Sequence, residues 1–254
     1  MSPLGPIAGD GSPGLIGPEW PVPARVRAAV TTRQGGCSLA PFESLNLAEH
    51  VGDDLQSVQK NRGRLREALQ LPQEPGWLQQ VHGTRTVQLP LRAVPEADAS
   101  VSRISGLACA ILTADCLPVL FCDAAGTVVA AAHAGWRGLL NGVLENTITA
   151  MACPSGQILA WLGPAIGPDA FEVGSEVRDA FVRKNASADA AFRAAAPGKY
   201  MADLYALARQ RLKAAGVHRI YGGGECTYHD TQRFYSFRRE ARCGRMASLI
   251  WMQD

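Results

Sequence analysis

Three apolar runs follow one another in the middle of the chain, and they constrain its fold more than any other feature. They are LACAILTAD (107–115), LPVLFCD (117–123) and GTVVAAAH (126–133). Because nearly every position is apolar, rather than every second one, the runs predict strands covered on both faces, although a buried helix has the same pattern. From Leu139 to Met151 the apolar residues recur at three and four positions, which predicts an amphipathic helix. The chain therefore changes from strand to helix just after His133.

The rest of the chain continues this interleaving. Further strands are predicted over RVRAAVTTR (25–33), GWLQQVHG (76–83), QILAWLGP (157–164), HRIYGGG (218–224) and GRMASLIWM (244–252). Further helices are predicted over DDLQSVQKNRGRLREALQL (53–71), EVRDAFVRK (176–184) and ADLYALARQRLKAAG (202–216). Asp53 or Asp54 is the expected N-cap of the first of these helices, and Ser175 that of the second. The expected class is α+β, in the broad sense of mixed α/β.

Composition restricts the kind of protein. The 254 residues are 47% hydrophobic and 19% charged, which is typical of a globular protein with a large core. The formal net charge is +2 and the arginines are scattered, so we expect no nucleic-acid surface. No stretch reaches the roughly 18 consecutive apolar residues of a membrane helix, so we expect no membrane association.

The N-terminal residues indicate how the chain is divided into domains, and the cysteines indicate the cellular compartment. Prolines and glycines predict a flexible arm over residues 1–20, followed by a single domain over residues 21–254. The N-terminal residues lack the pattern of a signal peptide. The seven cysteines are odd in number and irregularly spaced, which argues against a disulfide framework. We therefore expect a cytoplasmic protein with free thiols.

Three residues able to bind a metal stand at the ends of apolar segments. His82 ends GWLQQVH, Cys116 lies between two of the apolar runs, and His133 ends the third run. Because strand ends present side chains to a shared crevice, the three side chains are expected to converge. Two imidazoles and a thiolate suit Zn²⁺, and three protein ligands leave the fourth tetrahedral position open.

The spacing of these three residues is not diagnostic by itself. It matches no metal-binding signature, so two core histidines and a buried free thiol are an alternative. A second alternative pairs Cys116 with a histidine as nucleophile and base, as in a cysteine hydrolase or amidase. A structural metal would need a fourth ligand, for which His229 is the candidate.

Several motifs occur in the order in which a known family has them. The main ones are QVHG (80–83), TADC (113–116), HAGWRG (133–138), LGPAIGP (162–168), CTY (226–228) and GRMASLIW (244–251). Further matches are TTR (31–33), SLNLAEHVGD (44–53) and YSFRR (235–239). From Thr31 to Trp251 the chain resembles the laccase-domain family, also called multicopper polyphenol oxidoreductase-like and, more recently, purine nucleoside phosphorylase.

The resemblance implies a layered α/β/β/α-like fold with mixed sheets. It also implies that His82, Cys116 and His133 bind a catalytic metal, usually zinc, with copper as the alternative occupant. The implied activity is phosphorolysis of adenosine, inosine, guanosine and methylthioadenosine, with adenosine deamination as a side activity. Purine nucleosides and phosphate are therefore the expected partners, and the oligomeric state is not implied.

Phosphate has several candidate contacts. The helix start after Trp136 offers unpaired N–H groups, and Arg137 could clamp an anion there. Arg33, in the TTR motif, is the second candidate by resemblance. A cluster of four arginines near the C-terminus forms either a solvated surface edge or a further anion site. It comprises Arg238, Arg239, Arg242 and Arg245.

Candidates for ribose contacts and proton transfer are fewer. Asn46 and His50, in SLNLAEHVGD, are expected ribose contacts or supports of the metal site. Asp115 is the candidate proton shuttle beside the catalytic pair Cys116 and His133, although strand alternation favours the side away from the metal.

The number of histidines bears on whether the chain can be a laccase. A laccase needs a blue-copper centre and a trinuclear cluster held largely by imidazoles, and the chain has five histidines. A single copper in the three-residue site is compatible with the affinity order of divalent metals. A copper-dependent polyphenol oxidase is thus an alternative, as is a cysteine hydrolase that edits cell-wall precursors.

Overall fold

Two β-sheets pack face to face, and helices cover both outer sides. The structure, a computed structural model, describes residues 12–254. Within them the strands are β1 (Leu15–Ile16), β2 (Val26–Thr31), β3 (Thr86–Gln88), β4 (Ala99–Ser102), β5 (Cys109–Thr113), β6 (Leu117–Asp123), β7 (Val129–Ala134), β8 (Ile158–Leu162), β9 (Glu172–Gly174), β10 (Phe192–Ala194), β11 (Lys199–Ala202), β12 (Arg219–Gly222) and β13 (Met246–Met252). The α-helices are α1 (Leu55–Ala68), α2 (Trp136–Asn141), α3 (Val143–Met151), α4 (Ser175–Lys184) and α5 (Leu204–Ala214).

The strands form two large sheets and one small one. An antiparallel sheet has the order β1-β2-β13-β5. A mixed sheet has the order β12-β8-β6-β7-β4-β3, with parallel pairs at its two edges. The small antiparallel sheet has the order β10-β11-β9. The predicted mixed α/β class with mixed sheets is confirmed.

Strand β6 shows why the apolar runs are unbroken. Its Val119 and Phe121 pack against the helices α2 to α5, whereas Leu120 and Cys122 face the space between the two large sheets. Both faces are therefore buried, as the apolar run predicts. Leu65 of α1 packs on the far side of the antiparallel sheet. The layers thus follow the expected order α/β/β/α.

Two predicted elements differ from the structure. Residues 76–83 were expected to form a strand, but they make only isolated bridges at Gly76 and Gln79. The reason is that the N–H of His82 binds a side chain rather than a neighbouring strand. The amphipathic helix predicted from the apolar spacing is two helices, α2 and α3, because Gly142 between them has a left-handed φ of 108°.

The predicted helix caps are nearly right. Asp54 is the N-cap of α1, and its carboxylate accepts the N–H of Ser57 at 2.9 Å. The prediction for α4 is wrong by one residue, because Gly174 is the N-cap and Ser175 is already helical. Asp203 caps α5 through the N–H of Ala206.

The predicted N-terminal arm, residues 1–20, lies partly outside the described residues. From residue 12 onward the chain follows the antiparallel sheet, where β1 pairs with the end of β2. Ile16 and Trp20 pack on the apolar cluster between the sheets. In the chain from residue 12 to its end, no helix has the length and apolar character that crossing a bilayer requires.

Candidate active site

The three candidate metal ligands meet at one end of the two sheets. The ligand atoms of His82, Cys116 and His133 all lie within 4.8 Å of one another. Cys116 Sγ is 3.7 Å from His82 Nε2, and the two imidazole centroids are 4.7 Å apart. The convergence expected from their positions at segment ends is therefore present.

Pairing of β6 with β7 brings two of these side chains together. Cys116 directly precedes β6, and His133 lies near the end of β7, opposite Pro118. Gly135 follows, where a Cβ would lie 2.8 Å from Cδ2 of His82 and 3.1 Å from Sγ of Cys116. Because Cβ atoms do not approach other atoms so closely, the absence of a side chain here lets His82 reach the pair.

A residue that the sequence analysis did not identify completes the site. Asp98, directly before β4, is fully buried, and its Oδ1 lies 2.8 Å from Nδ1 of His133. Its carboxylate also accepts the N–H of His82 at 2.9 Å and that of Gly83 at 2.6 Å. Burial alone would raise the pKa of Asp98, but His133 and the N–H groups of Gly83 and Val81 hold it below its usual value. Asp98 is thus an ionised carboxylate at neutral pH.

The Cys116 thiol and the neighbouring imidazoles shift one another's pKa values. Burial raises the pKa of Cys116, but the imidazoles of His133 and His82 outweigh it and lower this pKa to about 6. Burial lowers the pKa of His133, but Cys116 and Asp98 outweigh it and raise this pKa to about 9. Without a metal, a thiolate therefore faces an imidazolium at neutral pH.

This donor set fits a single divalent metal ion. Asp98 engages Nδ1 of His133, which leaves Nε2 for a metal. Two imidazole nitrogens and one thiolate resemble the three-ligand zinc sites that keep a fourth position open. Among residues 12–254, no other group of three His, Cys, Asp or Glu side chains has such an arrangement.

The His82, Cys116 and His133 side chains lie in the wall of a cavity of about 380 Å³. Besides histidines, the lining includes three aromatic and three cationic side chains, namely Trp136, Phe171, Phe237, Arg137, Arg238 and Arg245. Each arginine stacks on one of the aromatic rings, at 4.4 to 5.6 Å from its centroid. Aromatic faces suit a planar heterocycle, and guanidinium groups suit an anion.

The two predicted phosphate contacts differ in position. Arg137 lines the cavity, and apart from Trp136 its guanidinium has no partner among the described residues. Arg33 does not line the cavity, because its guanidinium donates to the carbonyl oxygens of Glu43 and Thr231. Arg137 is therefore available to an anion, whereas Arg33 joins two loops.

The two residues predicted to contact ribose or to support the metal site also lie in different places. His50 lines the cavity, and Asn46 does not. Asn46 is fully buried, and its Oδ1 accepts the backbone N–H of Arg245, which it supports from behind the cavity. Burial, then Arg245 and Arg62, lower the pKa of His50. Its imidazole is therefore neutral at neutral pH.

Asp115 lines the cavity but is held on both sides. Its carboxylate accepts hydrogen bonds from the Thr227 hydroxyl and from the backbone N–H of Arg238. Arg239 fastens the same loop by donating to the carbonyl oxygens of Thr227 and Phe234. The clustered arginines therefore have different positions: Arg238 lines the cavity, whereas Arg239 stabilises the loop through its hydrogen bonds.

Sequence comparison links the chain to named proteins. Residues 27–253 match a family model described as multi-copper polyphenol oxidoreductase laccase. A purine nucleoside phosphorylase of Pseudomonas aeruginosa is 60% identical, over 93% of this chain and 98% of that protein. A purine nucleoside phosphorylase of Escherichia coli is 55% identical, over 94% of this chain and 98% of that protein.

Solved structures share the fold. A Neisseria meningitidis protein superposes with a TM-score of 0.92 at 51% identity, covering 94% of this chain and 99% of that one. YlmD from Geobacillus stearothermophilus superposes with a TM-score of 0.86 at 34% identity, covering 91% and 93%. Because sequence and structure match over nearly its whole length, the chain belongs to the multi-copper polyphenol oxidoreductase laccase family.

Proposed function

We propose that this protein is a metal-dependent purine nucleoside phosphorylase. In that reaction a phosphate oxygen forms a bond to C1′ of the ribose while the bond from C1′ to the purine breaks, and the base leaves with the electron pair. The observation that carries the proposal is the cavity itself, where a His–Cys–His group lies beside aromatic rings and arginines. Relatives named for this activity, at 60% and 55% identity, support it.

We propose that His82, Cys116 and His133 hold zinc. Two imidazoles and a thiolate form a borderline-soft set that suits zinc, and copper would use the same three atoms. Bound zinc would supply a Lewis acid next to the purine and a water molecule of lowered pKa. Cys116 must stay reduced to bind, and all seven cysteines are free, so the proposed compartment is the cytoplasm.

The other cavity residues would bind and orient the substrates. Arg137 and Arg238 would hold phosphate through charge-assisted hydrogen bonds. Phe171 and Phe237 would stack on the purine, and their bulk would exclude water from the bond that breaks. His50, neutral because burial and neighbouring arginines lower its pKa, would exchange hydrogen bonds with a ribose hydroxyl.

We further propose that adenosine, inosine, guanosine and methylthioadenosine are substrates, and that adenosine is also deaminated. Stacking on aromatic faces is tolerant of the groups that distinguish these purines. Deamination requires a proton carrier, and Asp115 is the only carboxylate among the described residues that line the cavity. Because both of its oxygens already accept hydrogen bonds, we expect deamination to be slower than phosphorolysis.

One observation favours a second candidate, a cysteine hydrolase. Without a metal, Cys116, His133 and Asp98 form a series of thiolate, imidazolium and carboxylate. Such a series has the order of a nucleophile, its base and an orienting group. A laccase has weaker support, because residues 12–254 include all five histidines and contain one metal-binding group.

Product analysis tests the phosphorylase proposal. Zinc-loaded protein incubated with adenosine is expected to release adenine and ribose 1-phosphate, and to release no adenine when phosphate is omitted. Inosine from deamination should form without phosphate. Adenine release should disappear in Cys116→Ala and persist in Cys153→Ala, because Cys153 does not line the cavity. Absence of adenine from the phosphate-containing reaction would refute the proposal.

The same protein separates the alternatives. Removal of the metal by a chelator should abolish adenine release, and added zinc should restore it. If the metal-free protein instead hydrolyses amides and iodoacetamide inactivates it, the cysteine hydrolase is correct. Oxygen uptake with a phenol would support the oxidase.

A further inference from the structure

One buried carboxylate touches both histidine-bearing segments of the site. Asp98 Oδ1 accepts the backbone N–H of His82 at 2.9 Å and lies 2.8 Å from Nδ1 of His133. Asp98 Oδ2 accepts the N–H of Gly83 at 2.6 Å and that of Val81 at 3.3 Å. The side chain is fully buried, so water does not compete for these contacts.

We propose that Asp98 is a positioning residue that fixes both histidine ligands before the metal arrives. It orients His133 so that Nε2 faces Cys116 and the metal position, and it holds the turn that carries His82. This inference rests on the proposed metal site and is independent of the reaction catalysed there.

The turn at His82 needs such a support. His82 has a φ of 59°, in the left-handed region that residues with a Cβ adopt at an energetic cost. No strand partner holds residues 81–83, and the Asp98 carboxylate accepts their successive N–H groups instead. The carboxylate therefore determines the position from which the His82 imidazole reaches the site.

Asp98 is itself rigidly placed by the mixed sheet. Its carbonyl oxygen accepts the backbone N–H of His133 at 2.7 Å. The next residue, Ala99, lies opposite Ala132 in the pairing of β4 with β7. The main chain and the side chain of Asp98 thus both bind His133. Because the same carboxylate accepts the N–H groups of His82 and Gly83, the sheet that positions Asp98 also positions the turn at His82.

An amide at position 98 cannot reproduce these contacts. If its oxygen takes the place of Oδ1, its NH₂ group faces the N–H of Gly83, which is also a donor. If the amide is reversed, the NH₂ group faces the N–H of His82 and favours the His133 tautomer with a proton on Nε2. That proton would occupy the atom that the metal needs, so either orientation weakens metal binding.

Asp123 provides a matched control at the opposite end of β6. It is also buried, at 4% exposure, and its carboxylate accepts the N–H groups of Thr127 and Val128. Asp123→Asn therefore disturbs a comparable carboxylate without touching the site.

The test is a zinc competition titration of wild type, Asp98→Asn and Asp123→Asn, with thermal unfolding of each metal-free protein as the measure of folding. We expect the zinc dissociation constant to rise about 10- to 100-fold in Asp98→Asn and to stay unchanged in Asp123→Asn. Wild-type affinity in folded Asp98→Asn, or an equal loss in both variants, would overturn the inference. Zinc binding by wild type without adenine release would refute the phosphorylase and leave the inference intact.

A second measurement needs no variant, in case Asp98→Asn does not fold. Nitrogen chemical shifts of the imidazoles in zinc-loaded wild type report which nitrogen of His133 carries the proton. We expect a slowly exchanging proton on Nδ1, facing Asp98, and zinc on Nε2. A proton on Nε2 with zinc on Nδ1 would overturn the inference.

Discussion

The Thr227 hydroxyl donates a hydrogen bond of 2.7 Å to Asp115 Oδ1, although the two residues are 112 positions apart. The other oxygen of Asp115 accepts the backbone N–H of Arg238 at 2.7 Å. One carboxylate therefore joins the segment that carries Cys116 to the loop that brings Arg238 into the cavity. These two hydrogen bonds thus connect the proposed metal site to the loop that carries Arg238, a proposed phosphate contact.

Thr227→Val tests that connection. The variant keeps the shape of the side chain but removes one hydrogen bond from a buried carboxylate, which should lower the free energy of unfolding by about 1–3 kcal/mol. Because the Arg238 loop loosens, the KM for phosphate should rise more than kcat falls. Denaturant unfolding and steady-state kinetics check both effects.

Thr147→Val is the control for this prediction. Thr147 is equally buried, but its hydroxyl bonds the carbonyl oxygen of Val143 within α3. Its replacement should leave the KM for phosphate unchanged. An equal rise of this KM in both variants would show that general destabilisation, rather than the Asp115 contact, is responsible.

Gly135→Ala should disrupt the metal site while the protein stays folded. The new Cβ would lie 2.8 Å from His82 Cδ2 and 3.1 Å from Cys116 Sγ, so the ligands must move apart. We expect zinc affinity to fall at least about tenfold, comparable to the loss of a residue that supports a ligand. In Gly63→Ala, within α1, the Cβ meets nothing within 4 Å. That control should gain about 0.5–1 kcal/mol of stability and bind zinc normally.

Arg137→Gln and Arg33→Gln should have different effects. Arg137 lines the cavity with its guanidinium open to an anion, and charge-assisted hydrogen bonds contribute about 1.5–3 kcal/mol. The KM for phosphate should therefore rise roughly tenfold to a hundredfold in Arg137→Gln. Arg33→Gln should leave that KM unchanged and lower thermal stability, because Arg33 binds the carbonyl oxygens of Glu43 and Thr231. A larger change in KM from Arg33→Gln would reverse the assignment.

Zinc should bind more tightly as the pH rises from about 6 to about 9. In the metal-free protein the pKa of Cys116 is lowered to about 6 and that of His133 is raised to about 9. Zinc takes a thiolate and a neutral imidazole, so in this range the proton of His133 must leave, and affinity should rise about tenfold per pH unit. Below this range the Cys116 proton must leave as well, so the dependence steepens, and above it the contribution of this pair disappears. Competition titrations across the range check this, and a flat profile would contradict the thiolate–imidazolium pair.

The mixed α/β class was predictable from the residues because the signals of single strands and helices are local, whereas the layered arrangement was expected only from the family resemblance. Burial of β6 on both faces produces the unbroken apolar run over 117–123. Asp54 caps α1 through a residue only three positions away. Features of this kind depend on a few neighbouring residues, so they can be predicted from a single sequence.

The support of the site was not predictable because it depends on distant contacts. Asp98 is buried and Glu96 is exposed, and Asp98 directly precedes the pairing of β4 with β7, a long-range contact that no local signal indicates. The turn at His82 was expected to be a strand end, since nothing nearby indicates that a carboxylate 16 positions away accepts its N–H. Asn46 was expected to contact ribose or to support the metal site, and no local signal indicates that its Oδ1 accepts the backbone N–H of Arg245, 199 positions away.

The most direct test of the central claim is a zinc titration of the metal-free protein, followed by phosphate-dependent release of adenine from adenosine. Adenine release should rise in proportion to added zinc and stop rising at about one zinc ion per chain, and His133→Ala should neither bind zinc tightly nor release adenine. Full adenine release before any zinc is added, or by His133→Ala, would contradict the account.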